Sequence, residues 1–370
     1  MSAYAFPIAD AHLFITSEVM PEPITVPRTV DGLFAHLKEK LPTLPEDEVW
    51  QKAEIAQQIN ELKEEKNAVI LGHNYMEPAL FHSIPDYTGD SLGLSRLAAQ
   101  TERDVIVFCG VRFMAETAKI LNPEKTVLLP ADKAGCSLAE SITADDVRQL
   151  KARFPGVPVV TYINTYADVK AETDICCTSS NAAAVVNSLD SDTVIFLPDE
   201  YLAQNVAKET GKQILFPSVG GDGAPVDAGD DAMIGWKGRC EVHDQFMVGD
   251  IETARAQHPD VLVLAHPECR PDVVDAADFA GSTSAMIDYV AQSKAKRYLM
   301  LTECSMGDNI MAEHPEKELL RMCWVRCPHM NQITLEDTLY GLQHMHQEIT
   351  VDEEIRVRAL RSVERMLAIG

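Results

Sequence analysis

Three cysteines of this sequence stand in similar settings. They are Cys136 in Ala134-Gly135-Cys136-Ser137, Cys240 in Gly238-Arg239-Cys240-Glu241-Val242-His243, and Cys327 in Val325-Arg326-Cys327-Pro328. Thiolates are soft ligands that select soft metals and iron–sulfur clusters. A structural zinc site usually closes with four ligands at short local spacing, whereas these three thiols are far apart in sequence. Three thiolates brought to one point suit a four-iron cluster and leave one iron without a protein ligand, open to act as a Lewis acid. The six other cysteines do not share this setting. Cys109, Cys176 and Cys177 lie in apolar or helix-adjacent surroundings and read as core. Cys269, Cys304 and Cys323 are close to strand ends or to Cys327 but break the register.

That register comes from an internal repeat. Apolar runs at 69–75, 159–164 and 261–268 read as buried strands with polar ends: His73 and Tyr75, Tyr162 and Asn164, His266 and Glu268. After each run a serine opens a helix, at Ser91, at Ser179 and at Ser282-Thr283, where a hydroxyl can cap free N–H groups. Each copy continues with a second strand (105–109, 193–197, 298–301), a helix, a third strand (126–129, 213–216, 318–322) and then its cysteine. Strands alternating with helices at this spacing predict parallel βαβ units.

The fold class expected is therefore α/β, with three similar parallel-sheet αβα units arranged with pseudo-threefold symmetry around a central cavity. Ligands of open parallel sheets bind beyond the carboxyl ends of the strands, where these polar residues sit. Three helix N-termini at the same place would bind an anion. The predicted division is a loosely packed extension over 1–45 and units over 46–131, 132–217 and 218–350. The Gly- and Asp-rich stretch 218–236 reads as a surface-loop insertion in the last unit, and a closing helix over 351–370 is placed on the first unit.

Composition limits the function classes. The chain has 370 residues, 46% of them hydrophobic, and a formal net charge of −25, which argues against nucleic acid or an anionic membrane as partner. No run of 18 apolar residues occurs, so no membrane-spanning helix is expected. The start lacks a basic region and Asp10 interrupts its weak apolar stretch, so it does not read as a signal peptide. Nine scattered cysteines then indicate a reducing, cytoplasmic setting.

The motifs resemble those of the quinolinate synthase family. They include GHNY at 72–75, GDSL at 89–92, GVRFMAETAKIL at 110–121, AGCSL at 134–138, YINT at 162–165 and CTSSNA at 177–182. VHDQF at 242–246, HPE at 266–268, GSTS at 281–284, PEKEL at 315–319 and CPHMN at 327–331 complete the set, over 68–336. The resemblance implies three α/β domains around a 4Fe-4S cluster held by Cys136, Cys240 and Cys327. It implies condensation of iminoaspartate with dihydroxyacetone phosphate to quinolinate, with loss of phosphate and two waters, in de novo NAD biosynthesis. Iminoaspartate would come from an aspartate-oxidising enzyme. The family's substrate site falls on His73, Tyr75, Ser91, Tyr162, Asn164, Ser179, His243, His266, Glu268, Ser282 and Thr283. Of these, Glu268, His266, Tyr75 and His73 are the candidates for catalysis.

Two departures and two rivals accompany this reading. Some members carry a Cys-x-x-Cys-x-x-Cys run before the third ligand, but here Cys323 alone precedes Cys327 closely, which removes the basis for a redox switch of that kind. The first 45 residues and the 218–236 stretch have no counterpart in the pattern. An iron–sulfur hydro-lyase acting on a hydroxy acid would use the same open cluster without a phosphate-bearing substrate. A non-enzymatic iron–sulfur sensor would need a fourth protein ligand, and no fourth cysteine is in register.

Overall fold

Runs of apolar and β-branched residues, buried on both faces, form three all-parallel sheets. The computed structural model describes residues 20–217, 229–322 and 324–369. The first sheet contains β1 (Ala68–His73), β2 (Tyr87–Gly89), β3 (Val105–Cys109) and β4 (Thr126–Leu128), in the order β2-β1-β3-β4. The second contains β5 (Val159–Tyr162), β6 (Ile175–Cys177), β7 (Val194–Leu197), β8 (Gln213–Leu215) and β9 (Ala232–Gly235), in the order β6-β5-β7-β9-β8. The third contains β10 (Leu262–Ala265), β11 (Phe279–Ala280), β12 (Arg297–Leu301) and β13 (Glu318–Arg321), in the order β11-β10-β12-β13. The expected α/β fold of three parallel-sheet units is the fold observed.

The repeat extends to a detail that sequence reading passed over. Asp86, Asp174 and Asp278 each stand just before the short edge strand of their sheet. Each accepts a hydrogen bond at 2.8 Å from a backbone N–H of the first strand, at Ile70, Val159 and Val263 respectively. A backbone amide of an inner strand, beyond the reach of the short neighbouring strand, is thereby satisfied in the same way three times.

The helices opening after the edge strands are Ser91–Gln100, Ala182–Asn187 and Thr283–Gln292. A serine caps only the last, where Ser282 accepts from the Ala285 N–H. Asp90 caps the first, which makes Ser91 its first helical residue, and Asn181 is the cap position of the second. The second helix has six residues, so the expected trio of equivalent helix N-termini is present only in part.

Three expectations about the periphery change. Residues 218–228 lie outside the described residues, but the rest of the supposed surface loop includes β9, fully buried and inserted between β7 and β8. Met233 and Ile234 supply an apolar pair that a central strand can bury, and the surrounding glycines and aspartates masked it. The extension is not loose over its described part, whereas residues 1–19 lie outside the described residues. Thr29 caps a helix, Val30–Lys40, whose Leu33 and Leu37 are wholly buried against the helix Glu46–Glu65. Leu37→Ala is therefore expected to cost about 2–5 kcal/mol and lower the thermal midpoint by several degrees. An unchanged midpoint would return this segment to a loosely attached extension.

The closing helix, Glu353–Leu367, also sits differently. It bonds to the first unit through Arg356 to the Ile120 carbonyl at 3.2 Å. It bonds to the second through Ser362 to the Lys170 carbonyl at 2.9 Å and Arg365 to the Asp174 carbonyl at 2.7 Å. It straps two units together and is not confined to the first. None of the described helices is long and apolar enough to cross a membrane.

Candidate active site

The carboxyl ends of the three sheets open on one cavity. The first unit lines it with His73, Tyr75 and Ser91, the second with Tyr162, Asn164 and Ser179, and the third with His266, Glu268 and Thr283. His243 and the three cysteines Cys136, Cys240 and Cys327 line it as well. Of the sequence-predicted site residues, Ser282 alone stands behind the wall, where it caps its helix and donates to Asp90 at 3.1 Å. Cys109, Cys176, Cys177, Cys269 and Cys304 are buried elsewhere in the structure, and Cys323 lies outside the described residues.

A chain of polar contacts runs through the cavity wall. His243 Nδ1 lies 2.7 Å from Glu268 Oε2 and 3.2 Å from Cys240 Sγ. On its other side His243 Nε2 meets Thr302 Oγ1 at 3.1 Å, and Thr302 shares a 2.5 Å hydrogen bond with the Tyr75 hydroxyl. The His266 ring stacks on His243 with centroids 4.6 Å apart, and its Nε2 meets Ser179 Oγ at 3.3 Å. Asn164 Nδ2 approaches Glu268 Oε1 at 3.5 Å, while Asn164 Oδ1 is buried without a protein partner. Arg270, the other conceivable partner of Glu268, turns to Asp272 at 3.2 Å.

Burial and this network fix the charges. Burial works to raise the Glu268 carboxyl, but the His243 charge and hydrogen bond, His266 and the Tyr162 hydroxyl together pull it below the ordinary carboxylate range. Burial lowers His266 to about 3, with the neighbouring His243 adding to the effect, and lowers His73 to about 4. Burial, then the Glu268 charge, raises the Tyr75 and Tyr162 hydroxyls well above their ordinary value. At neutral pH Glu268 is thus a carboxylate, His73 and His266 are neutral imidazoles, and Tyr75 and Tyr162 are protonated phenols.

The donor set fits a soft metal centre. Burial lifts the Cys136 thiol to about 12 and the Cys327 thiol to about 11, and Cys240 is raised well above the ordinary range by burial and Glu268. The charge of Cys327 further opposes ionisation at Cys136, and Cys136 and Cys327 do so at Cys240. Three thiols that hinder one another's ionisation across one cavity ionise together only around a strongly positive centre, as ligation requires. Among the described residues, the group of three whose ligand atoms all lie within 4.8 Å is Cys240, His243 and Glu268; the three sulfurs together are not such a group. Sulfurs on one tetrahedral zinc lie only about 3.8 Å apart, so the cysteine triad suits a larger centre than a single ion.

Sequence reading missed Thr302 and Asp90. Thr302 follows β12 at its carboxyl end, the same topological place that singled out His73 and Tyr162, but a lone threonine there carries no signal of its own. Asp90 lies inside the GDSL motif, next to the serine that drew attention.

Comparison with known proteins agrees with the geometry. A family model described as "Quinolinate synthetase A protein" matches residues 57–368. Among similar curated proteins, "Quinolinate synthase 2" of Mesorhizobium japonicum is 55% identical over 311 residues, covering 84% of this chain and 90% of the relative. "Quinolinate synthase" of Sinorhizobium fredii is 52% identical over 334 residues, covering 90% and 88%. "Quinolinate synthase" of Caulobacter vibrioides is 48% identical over 360 residues, covering 93% and 92%. With three matched units, their cysteines on one cavity and these likenesses along most of its length, the chain belongs to the quinolinate synthetase A protein family.

Proposed function

We propose that this protein condenses iminoaspartate with dihydroxyacetone phosphate to quinolinate, phosphate and two waters, as a step of NAD biosynthesis in the cytoplasm. The proposal includes a 4Fe-4S cluster held by Cys136, Cys240 and Cys327, and iminoaspartate delivered by an aspartate-oxidising enzyme. The observation that carries it is the meeting, in a single cavity, of the cysteines that follow the last strand of each sheet, with the Glu268–His243–Thr302–Tyr75 chain running through its wall. When bound, such a cluster supplies an iron without a protein ligand, a Lewis acid for a substrate oxygen.

The protein's own groups take the remaining tasks. Glu268, ionised at rest, accepts a proton from substrate carbon or nitrogen, and His243 at 2.7 Å steadies the charge or takes the proton onward. Tyr75, kept protonated by burial and held by Thr302, donates to an oxygen of the triose. Neutral His73 and His266 offer one donor and one acceptor each, as orienting groups need. The unpartnered Asn164 Oδ1 accepts from a substrate N–H or O–H, and Ser91, Ser179 and Thr283 hold phosphate or carboxylate oxygens.

Anaerobic reconstitution with iron and sulfide, followed by an assay for quinolinate and released phosphate, tests this. The expected result is quinolinate and phosphate in equal amounts. A fully loaded protein that makes neither but dehydrates a hydroxy acid would establish the hydro-lyase instead. In air, activity is expected to fall in step with loss of iron, because an iron without a protein ligand is exposed to oxidants. Undiminished activity after the metal has been stripped by a chelator rules out the cluster.

A further inference from the structure

We infer that Asp90 is a positioning residue whose carboxylate latches the three units together at the cavity, and that this latch sets how tightly substrate is held. The inference rests on the function proposed above for its kinetic consequence, though not for its structural one.

Asp90 is the point where three chain segments distant in sequence meet. Its Oδ1 accepts the Gly93 N–H at 2.9 Å and so caps the first-unit helix Ser91–Gln100. Its Oδ2 accepts the Ser180 hydroxyl of the second unit at 2.7 Å and the Ser282 hydroxyl of the third at 3.1 Å. Ser282 in turn caps the helix Thr283–Gln292 by accepting the Ala285 N–H at 3.3 Å. Asp90 and Ser180 line the cavity, Ser180 is exposed and Ser282 is buried, so the junction lies where the cavity meets solvent.

A carboxylate accepting hydroxyl hydrogen bonds makes contacts roughly twice as strong as neutral ones. Two of them on one oxygen, from two different units, hold the units at a fixed separation, and a shift of about 1 Å by either serine takes its bond out of range. The substrate-facing Ser91, Ser179 and Thr283 are direct chain neighbours of Asp90, Ser180 and Ser282. The latch therefore places all three at once, which a cap confined to one helix would not do.

The test separates latch from cap. Ser180→Ala removes the second-unit bond and leaves both helix caps in place. Asp90→Asn keeps capping, since asparagine caps as well as aspartate, but removes the charged acceptor. Each is expected to raise KM for dihydroxyacetone phosphate about tenfold, in line with loss of a hydrogen bond to a charged group, with a smaller change in kcat. The double variant should be no worse than the weaker-binding single variant. Hydrogen exchange supplies a readout free of the assay: Ser180→Ala should speed exchange at the Gly93 and Ala285 amides, which belong to the other two units. Wild-type-like KM in Asp90→Asn, or effects that multiply in the double variant, reduces Asp90 to a cap and overturns the latch. Faster exchange in a protein that makes no quinolinate would uphold the latch while sinking the function. Quinolinate formation with both KM and exchange indifferent to Ser180 would do the reverse.

Discussion

Alanine at any one of Cys136, Cys240 and Cys327 is expected to abolish iron loading and quinolinate formation together, whereas Cys176→Ala and Cys177→Ala keep both. Each of the three thiols follows the last strand of a different sheet, after β4, β9 and β13, and each lines the shared cavity. Loss of one leaves two ligands on a centre that needs three, and a buried, partly liganded iron has no replacement donor in Cys109, Cys176, Cys177, Cys269 or Cys304, which are buried away from the cavity. Cys176 instead contacts Ser362 of the closing helix at 3.5 Å, and Cys177 lies in the wholly buried end of β6. Alanine at either site removes only a small side chain from the core. An anaerobic iron count with the visible absorption band reads the outcome. Full loading in any of the three variants sinks the triad. Loss of metal in Cys240→Ala with retention in Cys136→Ala and Cys327→Ala would point to a single ion on Cys240, His243 and Glu268.

What sequence made legible, and what it hid, follows from the range of the interactions. The buried inner strands β1 and β3, β5 and β7, and β10 and β12 are nearly continuous apolar runs, so their number and order could be read locally. The residues at their carboxyl ends follow from topology alone, which is why His73, Tyr162, His266 and Glu268 could be named before any contact was known. The short strands β2, β6 and β11 could not, because two or three residues such as Tyr87–Gly89 gain their pairing only from the neighbouring strand. The strand Ala232–Gly235 was hidden by its glycine- and aspartate-rich surroundings. Asp90 and Thr302 were hidden for another reason. Asp90 takes its meaning from Ser180 and Ser282, and Thr302 from Tyr75 and His243, partners far away in the chain. A polar residue whose role is to join two others across units has no local signature, whereas a thiol repeated in register has a strong one.

Glu268→Gln is expected to leave a folded protein that loads its cluster and binds quinolinate, yet turns over slower by about two orders of magnitude or more. Pro267 restricts the backbone before Glu268 and favours an extended His266, so the carboxylate is delivered to the cavity by the chain itself. Glutamine keeps the shape: its one carbonyl oxygen can accept from His243 where Oε2 does now, and its amide nitrogen at the Oε1 place can donate to the Asn164 side-chain oxygen once that amide turns over. Cluster loading should not suffer, because the Glu268 charge is one of the influences that raise the Cys240 thiol, and removing it eases that ionisation. What glutamine cannot do is accept a proton. General acid–base help is worth about 10² to 10⁴ in rate, so the loss belongs in kcat and not in binding. The measurement is kcat for the anaerobically loaded variant beside its iron content and its affinity for quinolinate. A variant with full iron and turnover within a few-fold of the parent would make Glu268 a structural partner of His243 and move proton transfer to Tyr75 or His266.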